Sequence, residues 1–242
     1  MEGQRVSEPI RSTRWLKGQT IDERTESACI PLSLTGARLE NYDVERGDKY
    51  AHDTVFKWLR NYEDHREKGI GLQLVGTHGS GKTHLAVAAL RAAIRSYRQC
   101  GRYITTSNFI RALDDSRNNA GVLPDNYPDG NLLHYLRSAY DVVVLDDVDS
   151  VRDTEFARRE LTDLLESRVQ NKLVTIVTLT NKRDPNQPTE SPLIMAVTAK
   201  FDSLVRGTSL AVSIVDSADQ RSRPVGRLQH SPRSPHQTGL SV

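Results

Sequence analysis

The chain has 242 residues, 37% hydrophobic and 26% charged, with a formal net charge of +2, so it is long enough to bury one sizeable core and polar enough to stay in water. No apolar run approaches the ~20 residues of a membrane span and the polar N-terminus lacks a signal-peptide core, so a cytoplasmic protein is expected. Cys29 and Cys100 form no C-x-x-C and the histidines no H-x₃-H or H-E-x-x-H pair, which argues against a disulfide framework and protein-ligated metal.

Residues 1–29 are polar, with Arg5, Arg11, Arg14 and Lys17 ahead of Asp22, Glu23 and Glu26 and few apolar anchors. They read as a flexible arm or one short helix, with Trp15 as a possible partner anchor. Ile30-Pro31 opens the ordered part. Helical spacing of Tyr50, Val55, Phe56, Leu59 and Tyr62 predicts a helix over 49–68, closed by Gly69.

The apolar run Ile70 to Val75 then feeds Gly76-Thr77-His78-Gly79-Ser80-Gly81-Lys82-Thr83, which fits G-x-x-x-x-G-K-[ST]. Strand, loop and helix occur in the order this phosphate-binding motif requires. Polyphosphate must be wrapped closely by backbone N–H groups, and glycines at 76, 79 and 81 permit that approach. Lys82 is expected to reach the β- and γ-phosphates and Thr83 to ligate Mg²⁺. A helix over 83–99 follows, with Leu85, Ala88, Ala89, Ala92 and Ala93 on one side; Arg91, Arg95 and Arg98 form a stripe that reads as a solvated face or a nucleic-acid contact.

A strand at 103–106, a short helix at 109–113, a mobile loop at 118–130 and a helix at 132–140 lead to Asp141-Val-Val-Val-Leu145-Asp146-Asp147. Such an apolar run marks a buried parallel strand, and open α/β sheets bind ligands where its terminal acids stand. Asp146 is expected to hold Mg²⁺ and Asp147 to polarise the attacking water or help position the metal, the Walker B arrangement. An amphipathic helix at 153–170 buries Ala157, Leu161, Leu164 and Leu165. The run Leu173 to Thr180 ends at Asn181, which either orients the lytic water beside the γ-phosphate or caps a loop. A helix near 195–205 and a strand at 210–215 complete the fold. Residues 216–242 hold the whole +2 surplus, in Arg221, Arg223, Arg227 and Arg233 against Asp216 and Asp219, and read as disordered.

Five strands alternating with helices predict a three-layer α/β/α P-loop NTPase domain over 30–215 with a parallel sheet and no substantial C-terminal lid. Ile30-Pro31, Leu39-Glu40-Asn41-Tyr42-Asp43, Gly81-Lys82-Thr83-His84-Leu85-Ala86, Val143 to Asp147 and Thr180-Asn181 resemble the AAA+ ATPases, and within them the DnaC/IstB group of bacterial and phage helicase loaders and transposition helpers. The resemblance implies that the Asn181 strand lies between the other two motif strands and that residues 30–43 help cover the adenine. It also implies a neighbouring copy's arginine at the ATP, and hence self-association into a ring or spiral. The chain departs from the group at Ser203, in the apparent place of that arginine, so hydrolysis without a partner is expected to be weak.

The function this implies is an ATP- and Mg²⁺-dependent DNA replication factor that loads the replicative helicase onto single-stranded DNA. A transposase-helper ATPase is the alternative; a small P-loop kinase and a non-hydrolysing adaptor are further ones. Among possible DNA contacts, Arg102, Arg111 and Arg117 are candidates.

Overall fold

The computed structural model describes residues 16–118 and 132–180 and the backbone of 209–214. The expectations for the loop at 118–130 beyond Asn118, for Asn181, Ser203, the helix near 195–205 and the tail lie outside the described residues. The strands are β1 Gly71–Gly76, β2 Gly101–Thr105, β3 Val142–Asp146, β4 Val174–Thr180 and β5 Ser209–Ile214. All pair in parallel in the order β2-β3-β4-β1-β5. β4 therefore lies between β1 and β3, as the resemblance implied, and both strands that carry acidic or phosphate-loop motifs end on the same edge.

Helices cover both faces, so a strand such as β3 must be apolar on each side. Val142 and Val144 pack with Leu72, Leu74 and Ile176 into one core, whereas Val143 and Leu145 pack with Val177, Leu179, Leu161 and Leu164 into the other. The first core is closed by α2 (Lys49–Arg60), α3 (Tyr62–Lys68) and the phosphate-loop helix α4 (Lys82–Tyr97). The second is closed by α5 (Thr106–Asn118), α6 (Leu132–Ser138) and α7 (Glu155–Gln170).

Three differences from the sequence reading have physical causes. The helix expected over 49–68 breaks at Asn61, whose φ of −107° and ψ of 24° leave the helical region. Its buried face is Ala51, Val55, Trp58, Leu59 and Tyr62, while Tyr50 and Phe56 are exposed. An aromatic at nearly the right spacing is not thereby in the core. Secondly, Arg91 of the arginine stripe is buried, with Arg95 and Arg98 exposed.

Thirdly, residues 16–29, read as part of a flexible arm or one short helix, take the helical alternative and pack on the domain. Ile21–Ser27 forms α1, started by a capping box in which Thr20 and Glu23 exchange hydrogen bonds. The Arg24 guanidinium donates to the carbonyls of Lys17 and Arg98, and the Tyr103 N–H donates to the Ala28 carbonyl at 2.7 Å, so this segment covers the outer side of β2. Leu16 and Ala28 are buried. A segment with so few apolar residues holds its place through backbone acceptors, a pattern that composition does not register.

Candidate nucleotide site

The phosphate loop leaves β1 at Gly76 and enters α4 at Lys82. Gly79 and Gly81 adopt φ of 76° and 88°, the left-handed region that only glycine enters freely. This turns successive N–H groups inward at the positive end of α4. Ser80 is fully buried, and its hydroxyl has no hydrogen-bond partner among the described residues. The Lys82 ammonium lies over the loop, donating to the carbonyls of Gly76 at 2.9 Å and Thr77 at 2.7 Å.

Asp146, at the end of β3, receives three hydroxyls. Thr83 Oγ1 and Thr178 Oγ1 donate to its Oδ1 at 3.0 and 2.6 Å, and Tyr103 Oη donates to Oδ2 at 2.7 Å. A buried carboxylate so saturated is fixed in one orientation. Thr83 and Asp146 are thus brought together, as the motif logic requires. Tyr103 and Thr178 are the residues that sequence reasoning missed. The signal was available at Thr178, because a hydroxyl inside a strand buried on both faces needs a partner.

Asp147 follows with φ 58° and ψ 57°, uncommon for a residue bearing a Cβ. Its N–H donates to Thr178 Oγ1 at 2.8 Å, which holds the turn in that conformation. Burial, then the nearby charges of Asp149 and Asp146, push its pKa above the usual aspartate value, while His78 and Lys82 pull the other way. Asp149 Oδ1 accepts the Thr180 N–H at 2.8 Å and so fastens the end of β4, immediately before Asn181, to this turn.

The cleft above the loop has a volume of about 690 Å³ and is walled on its far side by Pro31, Ser33, Leu34, Asn41, Asp43 and Arg46. That wall is anchored to the loop itself. Tyr42 Oη donates to the Ser80 carbonyl at 3.3 Å and accepts the Asp48 N–H at 3.1 Å, with its ring stacked on His52 and edge-on to His84. His84 Nε2 lies 2.9 Å from the Arg38 carbonyl. His84 thus ties α4 to this wall. The site combines a backbone anion cradle, one buried ammonium, a hydroxyl–carboxylate pair and a flat-walled recess, the parts needed to grip a nucleoside triphosphate.

Comparison with known proteins bears on the same residues. The family model described as IstB-like ATP binding protein matches residues 22–186, which includes α1, the loop and all three motif strands. No curated protein matches the chain. Among solved structures, the DnaC helicase loader is similar with a TM-score of 0.60 at 23% identity, over 76% of this chain and 99% of that one. DnaI is similar with a TM-score of 0.58 at 20% identity, over 82% and 100%. A replication initiator DnaA bound to AMPPCP and single-stranded DNA gives 0.54 at 19%, over 73% of this chain and 49% of that one. At these identities the likeness is one of fold.

Proposed function

The chain belongs to the IstB-like ATP-binding protein family, and we propose that it is an ATPase that loads a replicative helicase onto single-stranded DNA. The reading rests foremost on the meeting of Lys82, Thr83 and Asp146 under a cleft whose other wall is residues 31–46. In this reading Lys82 exchanges its loop carbonyls for the β- and γ-phosphates, and the loop N–H groups of residues 76–83 hold the remaining oxygens. Thr83 and Asp146 offer hard oxygen ligands 3.0 Å apart, a donor set that fits Mg²⁺. Mg²⁺ held by Thr83 and Asp146 would supply neutralisation of phosphate charge. Asp147, poised by its turn and its raised pKa, polarises the attacking water. Asn181, outside the described residues, is assigned to orient that water from the end of β4.

The γ-phosphate then acts as the switch, because it alone joins Lys82, the metal ligands and the β4 end, and hydrolysis removes it. Turnover by the isolated chain is slow in this account, since Ser203 takes the apparent place of the arginine that the resemblance implies, and a neighbouring copy or partner must supply the charge. Similarity over nearly the full length of the DnaC and DnaI structures supports the loader assignment. A transposase-helper ATPase is the second reading, favoured by the name of the matching family itself.

Mixing the chain with its host's replicative helicase, with and without Mg-ATP, and weighing the complexes tests the assignment. A helicase complex that forms with ATP and dissolves on hydrolysis is the expected result. ATP-dependent filaments on duplex DNA with no helicase complex would transfer the assignment to the transposase helper. Loss of turnover in Asp147→Asn, with Mg-ATP still bound, is expected under either.

A further inference from the structure

The phosphate-loop helix carries a second cationic feature that nucleotide binding does not use. Between α2, α4 and the turn at Leu39 runs a groove of about 360 Å³ on which Arg38, Arg60, Arg91 and Arg95 converge, with Glu40 as its one carboxylate. Among the described residues none of the four arginines is in an ion pair. Arg38, Arg60 and Arg95 are exposed, but Arg91 is only 9% exposed and its Nε is buried with no hydrogen-bond partner. Burial, then the charges of Arg38 and Arg95, push its pKa down from the usual arginine value. An Nε that is buried among like charges and has no acceptor is unfavourably placed unless an anion approaches its guanidinium.

We propose that this groove binds the phosphodiester backbone of single-stranded nucleic acid, with Arg91 as the buried anchor and Phe56 offering its ring to a base. Guanidinium forks match phosphate oxygens in pairs, which favours phosphate over a bare point charge. Phe56 is 48% exposed on the rim, and cations beside an accessible ring are the combination that single strands use. The turn that carries Arg38 is also the wall of the nucleotide cleft, tied to α4 through His84, so the two anion sites share one element. The choice of a nucleic acid as the anion rests on the DNA role proposed above.

Anisotropy of a labelled oligothymidylate of about 20 nucleotides, with the full chain and Mg-ATP at several salt concentrations, provides the test. The double variant Arg60→Gln/Arg95→Gln alters only exposed side chains. It is expected to lose about tenfold in affinity and to flatten the slope of log affinity against log salt by roughly 1.4, while Mg-ATP binding and circular dichroism stay unchanged. Arg91→Met is expected to weaken binding further without loss of fold. A double variant that matches the wild type in affinity and slope overturns the groove and leaves the DNA role standing. A wild-type chain that binds Mg-ATP but no oligonucleotide removes the DNA role and the groove together. Tight binding of polyglutamate in place of the oligonucleotide would assign the groove to an acidic protein and overturn the proposal.

Discussion

Two buried guanidiniums sit on opposite faces of the sheet, and they are satisfied in opposite ways. Arg168 of α7 is fully buried. It donates to Thr175 Oγ1 at 2.9 Å and to the carbonyls of Leu136, Tyr140 and Val174 at 2.5, 3.1 and 2.7 Å. Burial lowers its pKa to about 9, with Asp141 opposing, so it stays charged near neutrality. It fastens the end of α6 to the starts of β3 and β4. Arg91 of α4 keeps 9% of its surface in solvent, and its buried Nε has no acceptor among the described residues. The two differ in where their donors end: those of Arg168 end on its own chain and hold the fold, whereas the groove proposed above would bring the Arg91 guanidinium an anion from outside.

The largest expected effect tests the first half of that contrast. Arg168→Met keeps the bulk but leaves three buried carbonyls without their donor, and each orphaned acceptor costs about 1–3 kcal/mol. Allowing for relaxation, a net loss of roughly 3–5 kcal/mol is expected, or about 10 °C in Tm for a domain of this size. Urea denaturation measures it, and a loss below about 1 kcal/mol would show that these bonds are not what joins the elements.

A donor with a single partner should fall between the extremes. Cys100 is buried, its Sγ donating to the Leu16 carbonyl at 3.3 Å, and burial pushes its pKa up to about 11. Against an ordinary thiol that is about a hundredfold less thiolate at neutral pH. Cys29 is exposed. Labelling with a thiol reagent is expected to modify Cys29 first and Cys100 at least about a hundredfold more slowly. Equal rates would mean that residues 16–29 leave β2 readily.

Next in size is Tyr103, which with Thr83 and Thr178 saturates Asp146. Tyr103→Phe frees Oδ2 but leaves both threonines in place. A kcat about tenfold lower, equivalent to ~1.4 kcal/mol, is expected with little change in nucleotide affinity. An unchanged kcat would make the tyrosine a packing residue only.

What was legible in the sequence follows the same division. The phosphate loop and the acidic end of β3 could be read because backbone geometry and local chemistry demand those residues in a continuous run. The strand order could not be read from spacing alone, because nothing local says that β4 inserts between β1 and β3; it came from the resemblance. Tyr103 and Arg168 act across 43 and 32 residues of chain, on Asp146 and Leu136, beyond any local pattern. Arg168 nevertheless left a trace: it stands three, four and seven residues after Leu165, Leu164 and Leu161, squarely on the buried face of α7. A charge in that position required an acceptor set. Arg91 carried the same signal more weakly, since α4 is buried nearly all round and its small alanines mark no single face.

Arg91→Met is the smallest of the expected effects and the one that most sharpens the contrast. Removing a buried charge normally destabilises by stranding its partner, as at Arg168. Here Nε has none to strand, and the substitution also relieves repulsion from Arg38 and Arg95. Replacement of a poorly compensated buried charge by an apolar side chain of similar volume is neutral or stabilising, by up to about 1 kcal/mol at this site, so Tm should hold or rise by about 2 °C. Oligonucleotide affinity should fall in the same variant. Stability and binding moving in opposite directions is the signature of a residue kept for a ligand. A Tm that falls as far as in Arg168→Met would mean that the Arg91 guanidinium is part of the fold, and the distinction between the two arginines would collapse.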